Sequence, residues 1–80
     1  MKIEMRDGRV FEGTPIEIVQ AMQGLAFGVE HLTLGHYITW VASNAHKFEG
    51  VDLHIPDGSE EQRATSLVDE MLRTRLARPA

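Results

Sequence analysis

The sequence predicts a small α+β domain, in which three helices cover one face of a sheet of about three strands in the order ββααβα. Three observations lead to this prediction: a hairpin-like segment at the start of the chain, two helix starts with capping boxes, and an alternating segment before the last helix. Because 80 residues can build only one small core, we expect a single compact domain over residues 1–80.

Residues 2–12 predict a β-hairpin around an Asp-Gly turn. A two-residue turn would place Phe11 opposite Glu4, on a face that carries charges. A three-residue loop over residues 6–8, with its glycine in the left-handed conformation, would place Phe11 opposite Ile3. We favour the three-residue loop, because it separates the apolar side chains from the charged ones.

The segment GTPIE, residues 13–17, predicts the start of the first helix. Thr14 is a favoured N-cap residue, Pro15 suits the first helical position, and Glu17 stands three residues after the cap, as in a capping box. The helix is expected to end just before Gly28, which can adopt a left-handed conformation.

The second helix is predicted over residues 34–48, with Thr33 as its N-cap and Gly50 after its end. Its apolar residues recur at helical spacing and predict one core-facing surface. Trp40 lies about 110° from the centre of that surface. The residues predicted to face the core are Leu34, Tyr37, Ile38, Val41, Ala45 and Phe48.

Residues 51–55, VDLHI, alternate apolar and polar types and predict the third strand. Pro56 would end this strand. Ser59 and Gln62 then indicate a second capping box, and apolar residues at helical spacing predict a third helix that continues towards Leu76.

The composition disfavours several classes of protein. The chain has no cysteine, which is typical of a reducing compartment, and we therefore expect a cytoplasmic protein. Charged residues interrupt the first seven positions, so we expect neither a signal peptide nor a membrane span. Twelve acidic against eight basic residues give a formal charge of -4, which disfavours nucleic acid and anionic lipid as partners.

The sequence carries no strong motif for catalysis, a cofactor or a metal. No serine lies on a nucleophile turn, and the glycines of GLAFG, residues 24–28, end a helix, whereas those of a phosphate loop precede one. The spacings of His46 with Glu49 and of Asp52 with His54 are too loose to indicate a metal site. We therefore expect no catalytic, cofactor-binding or metal-binding residues and a protein that is not an enzyme.

The amphipathic segments offer more apolar surface than a three-stranded sheet can cover. We interpret this surplus as an interface with another protein, most simply a second copy that forms a homodimer. The alternative is that the first two helices bury these residues against each other within one molecule. The candidate interface residues are Trp40, His36 and Asn44 in the second helix and Ile18, Met22 and Leu25 in the first.

A nucleic-acid-binding regulator is the alternative function. Residues 14–45 contain no lysine or arginine, although a helix-turn-helix in this region would need several phosphate contacts. The alternative therefore requires the hairpin and the C-terminal segment to form one basic surface. The residues concerned are Lys2, Arg6, Arg9, Arg63, Arg73, Arg75 and Arg78.

The segment DGRVFEGTPIEIVQAM, residues 7–22, resembles the start of short, uncharacterised bacterial proteins in which a charged N-terminal hairpin precedes a Thr/Ser-Pro capped helix. The resemblance implies a bacterial protein of this architecture and no particular activity. We therefore expect a small cytoplasmic accessory or regulatory domain that acts through protein–protein interaction.

Overall fold

The computed structural model describes residues 1–80 as a three-stranded antiparallel sheet with three α-helices, of which the first and third pack against the sheet and the second packs against those two helices. The predicted α+β class, with three strands and three helices, is confirmed. The elements are β1 (Lys2–Met5), β2 (Val10–Glu12), α1 (Pro15–Leu25), α2 (Leu34–Asn44), a π-helical segment (Ala45–Glu49) directly after α2, α3 (Glu60–Arg73) and β3 (Ala77–Pro79).

β1 is the central strand, with β2 and β3 antiparallel on either side of it. Ile3 lies opposite Phe11, so the predicted three-residue loop over residues 6–8 is confirmed. Gly8 has a φ of 90°, a backbone conformation that glycine adopts without the steric cost of a side chain. This register buries Ile3 and Phe11 in the core and leaves Val10 exposed on the outer face.

The third strand does not lie where the sequence predicted it. Residues 51–55 form no strand and instead run along α3, where the His54 backbone N–H donates to Glu70 Oε1 (2.8 Å). Arg73 Nη2 also donates to the Asp52 carbonyl (3.3 Å). Because helix side chains satisfy these backbone groups, the segment needs no partner strand. Its apolar residues are still half buried and its polar residues exposed, as the alternation indicated.

The third strand is β3, which follows α3 and pairs with the free edge of β1. Its three residues are too few to show an alternating pattern, and Pro79 argues against a strand in any sequence-based assignment. Pro79 is tolerated here because β3 is an edge strand. α3 ends at Arg73, earlier than predicted, and Arg75 adopts a left-handed conformation in the turn that leads into β3.

Side-chain caps define the start of each α-helix. In α1, the Glu17 N–H donates to Thr14 Oγ1 (3.3 Å), and the Thr14 N–H donates to Glu17 Oε1 (2.9 Å). Ser59 and Gln62 form the same reciprocal pair at the start of α3, and Thr33 caps α2 with one bond. Both predicted capping boxes and the predicted cap of α2 are therefore confirmed. A cap of this kind typically contributes about 1 kcal/mol to stability.

The core lies between the sheet and the helices, and all sixteen of its buried residues are apolar or aromatic. α1 and α2 both pack against α3, so the last helix holds the other two over the sheet. The largest side chains that are fully buried are Ile3, Ile18, Ile38, Leu67 and Met71.

A polar clamp joins α2 to α3. Arg63 Nη1 donates to the Gly35 carbonyl (3.2 Å), and Arg63 Nη2 donates to Thr39 Oγ1 (2.9 Å). Glu60 Oε2 accepts from the Gly35 N–H (3.1 Å). The Nε atom of Arg63 is buried without a hydrogen-bond partner. Arg63 therefore has a structural role between two helices.

Glu70 fixes the segment of residues 51–55 against α3. The hydrogen bonds from the Arg73 side chain and then from the His54 backbone N–H lower the pKa of Glu70 from 4.5 to about 2. Because this pKa is lower in the folded state than its ordinary value, the stabilisation is complete above about pH 4.5 and is lost as the pH falls towards 2.

We expect Glu70→Gln to lower the urea midpoint of unfolding near neutral pH, because glutamine loses the ionic bonds to Arg73. The difference from the wild type should shrink as the pH falls from about 4.5 to 2. Far-UV circular dichroism measures both midpoints. Asp69→Asn, at an exposed residue of the same helix without an ion pair or a side-chain hydrogen bond, is the matched control and should leave the midpoint nearly unchanged. A Glu70→Gln difference that stays constant down to pH 2 would contradict this assignment.

Candidate interaction site

An apolar groove opens between the hairpin, the end of α1 and the continuous helix formed by α2 and the π-helical segment. Its volume is about 650 Å³, and most of its lining side chains are hydrophobic. Six large hydrophobic side chains are exposed on the domain, and four of them line this groove. These four are Leu25 (56% exposed), Phe27 (98%), Trp40 (40%) and Phe48 (74%).

Trp40 lies between the core and the groove. Its ring stacks on that of Tyr37, with 5.8 Å between ring centroids and 23° between ring planes. Tyr37 is buried, and burial raises the pKa of its hydroxyl, so it stays neutral at physiological pH. Trp40 therefore has one face on the core and another that is available to a partner.

The exposure of Phe48 contradicts the prediction that it faces the core. The Gly50 N–H bonds to the Ala45 carbonyl, an i to i+5 bond of the π type. In such a wide turn, the rotation per residue around the helix axis is smaller than the 100° of an α-helix. The spacing of an α-helix therefore no longer predicts the direction in which the Phe48 side chain points. The side chain lines the groove instead. Short π-helical segments are frequent at functional sites.

Phe27 projects from a turn that is held in place. Gln23 Nε2 donates to the Val29 carbonyl (3.0 Å) and to the Leu32 carbonyl (2.9 Å), which ties the connection between α1 and α2 to α1. Gly28 has a φ of 80° and allows the chain to turn after α1. The nearly complete exposure of Phe27 therefore follows from a specific backbone arrangement.

The charged residues at the rim of the groove are paired with each other. Arg6 Nη1 lies 3.3 Å from Glu49 Oε2, and Arg9 Nη2 lies 2.6 Å from Asp7 Oδ2. Hydrogen bonds from Arg9 lower the pKa of Asp7. Two positive and two negative residues leave the rim without net charge, so the groove does not select a charged partner.

The structure brings some of the predicted interface residues together and separates others. Trp40, Leu25 and Asn44 line the groove, and Met22 lies at its base with 9% of its surface exposed. The prediction for Ile18 is wrong, because the packing of α1 within the domain buries it completely. His36 is exposed on α2 but does not line the groove.

Two residues of the groove, Phe27 and Phe48, were not predicted from the sequence to lie at the interface. The position of Phe27 next to Gly28, beyond the end of α1, was the one available signal that it could be exposed. No signal identified Phe48, because residue spacing does not reveal a change from α- to π-helical bonding.

A second cleft lies on the other side of Arg6, with a volume of about 630 Å³. It is lined by Arg6 from the hairpin, by Arg75 and Arg78 from the C-terminal segment, and by Glu4. We call it the arginine cleft. Part of the basic surface required by the nucleic-acid alternative is therefore present.

The other basic residues considered for that surface are engaged elsewhere or lie outside the cleft. Arg9 pairs with Asp7, Arg63 joins α2 to α3, Arg73 binds Glu70, and Lys2 lies on β1 opposite Glu12. Only three arginines of the seven basic residues therefore line one cleft.

The histidines and acidic residues considered for a metal do not converge. His46 Nδ1 lies 2.6 Å from Asp52 Oδ1, and both side chains are exposed. Glu49 instead pairs with Arg6. No group of three or more His, Cys, Asp or Glu side chains is arranged to hold a metal ion.

Comparison with known proteins adds no relative. No protein-family model matches the chain, and no curated protein or solved structure shows significant similarity to it. No helix is both long and apolar enough to cross a bilayer. The resemblance of residues 7–22 to short bacterial proteins stays a prediction.

We expect Phe48→Ala and Tyr37→Ala to differ in their effect on stability. Removal of the buried Tyr37 ring should cost about 3 to 5 kcal/mol, as for other core aromatics. Removal of the exposed Phe48 ring should cost less than about 1 kcal/mol, as for a surface residue. Urea unfolding followed by circular dichroism gives both values. Equal losses would show that Phe48 faces the core after all.

Proposed function

We propose that this protein is a non-enzymatic accessory or regulatory domain of the bacterial cytoplasm, and that it acts through protein–protein interaction at the apolar groove. The partner is a second copy of the same chain. The observation that supports this proposal is the clustering of exposed apolar side chains around the groove, where four of the six on the domain lie. Contiguous exposed apolar surface of this kind marks an interaction site.

The exposed apolar area is sufficient for the centre of a small homodimer interface. An aromatic side chain buries about 150–250 Å² when it is fully covered, so Phe27, Trp40 and Phe48 together offer roughly 400 Å² at their present exposure, to which Leu25 adds. A standard interface buries about 800 Å² on each partner, of which the centre is apolar and the rim polar. The groove residues would supply the apolar centre, and the paired charges around them would supply part of the rim.

The charges of the groove favour a second copy over a strongly charged partner. Arg6 is neutralised by Glu49, and Arg9 by Asp7, so two copies meeting at their grooves would face no net repulsion there. The one unpaired charge beside the groove is Lys47, whose Nζ lies 5.8 Å from the centroid of the Phe48 ring. The formal charge of -4 is carried elsewhere on the surface, where ions screen it.

The shape of the groove suits a two-fold arrangement. Phe27 and Phe48 protrude, while the space between the hairpin and α2 is concave. In a two-fold dimer each copy presents the same patch, so the protruding rings of one copy can enter the groove of the other. The sheet edges suit association less well, because β2 and β3 have three residues each and Pro79 lacks an N–H group.

The rival proposal is a nucleic-acid-binding regulator that uses the hairpin and C-terminal arginines. It is supported by the meeting of Arg6, Arg75 and Arg78 in one cleft. The net charge of -4 and the absence of basic residues from 14 to 45 weigh against a long polyanion as the partner. We therefore place it second.

Light scattering should give a mass that rises from 9.0 kDa towards twice that value as the concentration increases from low micromolar to near millimolar. The double variant Phe27→Ser/Phe48→Ser should stay monomeric over the same range, because each buried aromatic anchor typically contributes about 1 to 2 kcal/mol or more to an interface. A wild-type mass that stays at 9.0 kDa throughout would exclude homodimerisation.

Val10→Ser is the matched control for the double variant. Val10 is an exposed large hydrophobic residue (49%) that lies on β2 outside the groove. This change should leave the monomer–dimer equilibrium as in the wild type. A loss of association equal to that of the double variant would show that the interface lies on the outer face of the sheet and not at the groove.

The fluorescence of Trp40 provides an independent measurement. As the only tryptophan, it reports on the groove alone. Quenching by acrylamide should be efficient in dilute protein, because the indole is 40% exposed, and should decrease as the copies associate. In Phe27→Ser/Phe48→Ser, quenching should not depend on concentration. Concentration-independent quenching of the wild type would count against Trp40 in the interface.

A further inference from the structure

We propose that the arginine cleft is a binding site for a phosphate group. Its lining carries three arginines and one glutamate on a chain whose formal charge is -4. Arg6 also pairs with Glu49, and Arg78 pairs with Glu4, so Arg75 carries the one unpaired positive charge of the cleft. Its volume of about 630 Å³ lies within the range of small-molecule sites. The charge and the size of the cleft thus agree with a small anionic ligand.

The backbone of Arg75 gives the first specific argument. Arg75 has a φ of 64° and is the one residue other than glycine with a positive φ in the chain. It directly follows Thr74, the C-cap of α3, at a position where helices usually place glycine. A side chain in this conformation costs stability that glycine would not. Such outliers are frequent where a side chain serves a function.

The side chain of Arg75 gives the second argument. Arg6, Arg9, Arg63, Arg73 and Arg78 each donate at least one side-chain hydrogen bond. Arg75 is the single arginine that donates none. A cation near the C-terminus of α3 would complement the helix dipole, but Arg73 already provides it in the last turn. The fold therefore gives no structural reason for an arginine at position 75.

The other two arginines of the cleft are held by neighbouring groups and keep free donors. Arg6 Nε donates to the Arg75 carbonyl (3.0 Å), which ties the hairpin to the turn before β3. Arg78 donates from Nε (3.1 Å) and Nη2 (2.7 Å) to Glu4 Oε1 across the strand pair. Because a guanidinium has five N–H donors, each of these side chains retains several for a ligand. The cleft is thus preorganised.

The number of guanidinium groups favours phosphate over carboxylate. A carboxylate has two oxygens and one charge, so a single arginine can satisfy it. A phosphomonoester carries about -1.5 to -2 charges and three terminal oxygens, which can accept hydrogen bonds from all three guanidinium groups of the cleft. The phosphate could belong to a small molecule or to the end or backbone of a nucleic acid, and both sources share this chemistry.

The test follows the arginine Nε–H signals and the backbone signals by ¹H–¹⁵N NMR during titration with sodium phosphate, adenosine monophosphate and a twelve-nucleotide oligothymidylate. Sodium chloride at matched ionic strength is the reference. We expect phosphate and adenosine monophosphate to cause saturable shifts at Arg75 and at neighbouring residues of β1 and β3. An affinity for the oligonucleotide comparable to that for adenosine monophosphate assigns the site to small phosphate ligands. An affinity for the oligonucleotide that is at least a hundredfold higher than that for adenosine monophosphate assigns the phosphate to a nucleic acid.

Arg75→Gly separates binding from folding. Glycine removes the guanidinium and relieves the left-handed backbone, so this variant should unfold at a higher urea concentration than the wild type and yet bind phosphate at least tenfold more weakly. Lys47→Gln removes the same charge at an exposed residue that lines neither the cleft nor the groove, and it should bind as the wild type does. Equal shifts with chloride, or unchanged affinity in Arg75→Gly, would overturn the proposal.

Discussion

β1 pairs with β2 on one side and with β3 on the other, and this double pairing joins residues up to 76 positions apart, namely Ile3 and Pro79. The helices need the resulting inward face to bury their apolar side chains, with Ile3 at its centre. Both surfaces described above also depend on it. Met5 and Arg6, at the end of β1, line the apolar groove on one side and the arginine cleft on the other. Without β3 the cleft would not exist, and the groove would lose the support of its Leu76 wall.

The aromatic surface of the groove is a product of local backbone geometry. Two hydrogen bonds from Gln23 hold the turn that carries Phe27, and π-type bonding after α2 directs Phe48 away from the core. Trp40 is supported from below by the buried ring of Tyr37. In each case a defined interaction holds an apolar ring in an exposed position. A small domain would gain stability if it buried the same ring. This arrangement is the physical basis for treating the groove as an interaction surface.

Features that depend on neighbouring residues were predictable from the sequence. The hairpin register, the capping boxes and the cap of α2 each follow from side chains within a few positions of one another. Features that depend on distant contacts were not. Residues 51–55 have strand-like alternation, but Glu70 and Arg73 satisfy their backbone from a helix. The exposure of Trp40 was foreseen from its angle on α2, whereas that of Phe48 depended on a change of helix type.

The pairing of β3 with β1 also has a consequence for synthesis on the ribosome. β1 and β2 leave the ribosome before β3, so the second edge of β1 has no partner until residues 77–79 have left the exit tunnel. During that interval the nascent chain presents an open strand edge, which other unfinished chains could join. The charges of Lys2 and Glu4 on this strand, and its length of only four residues, disfavour such mispairing.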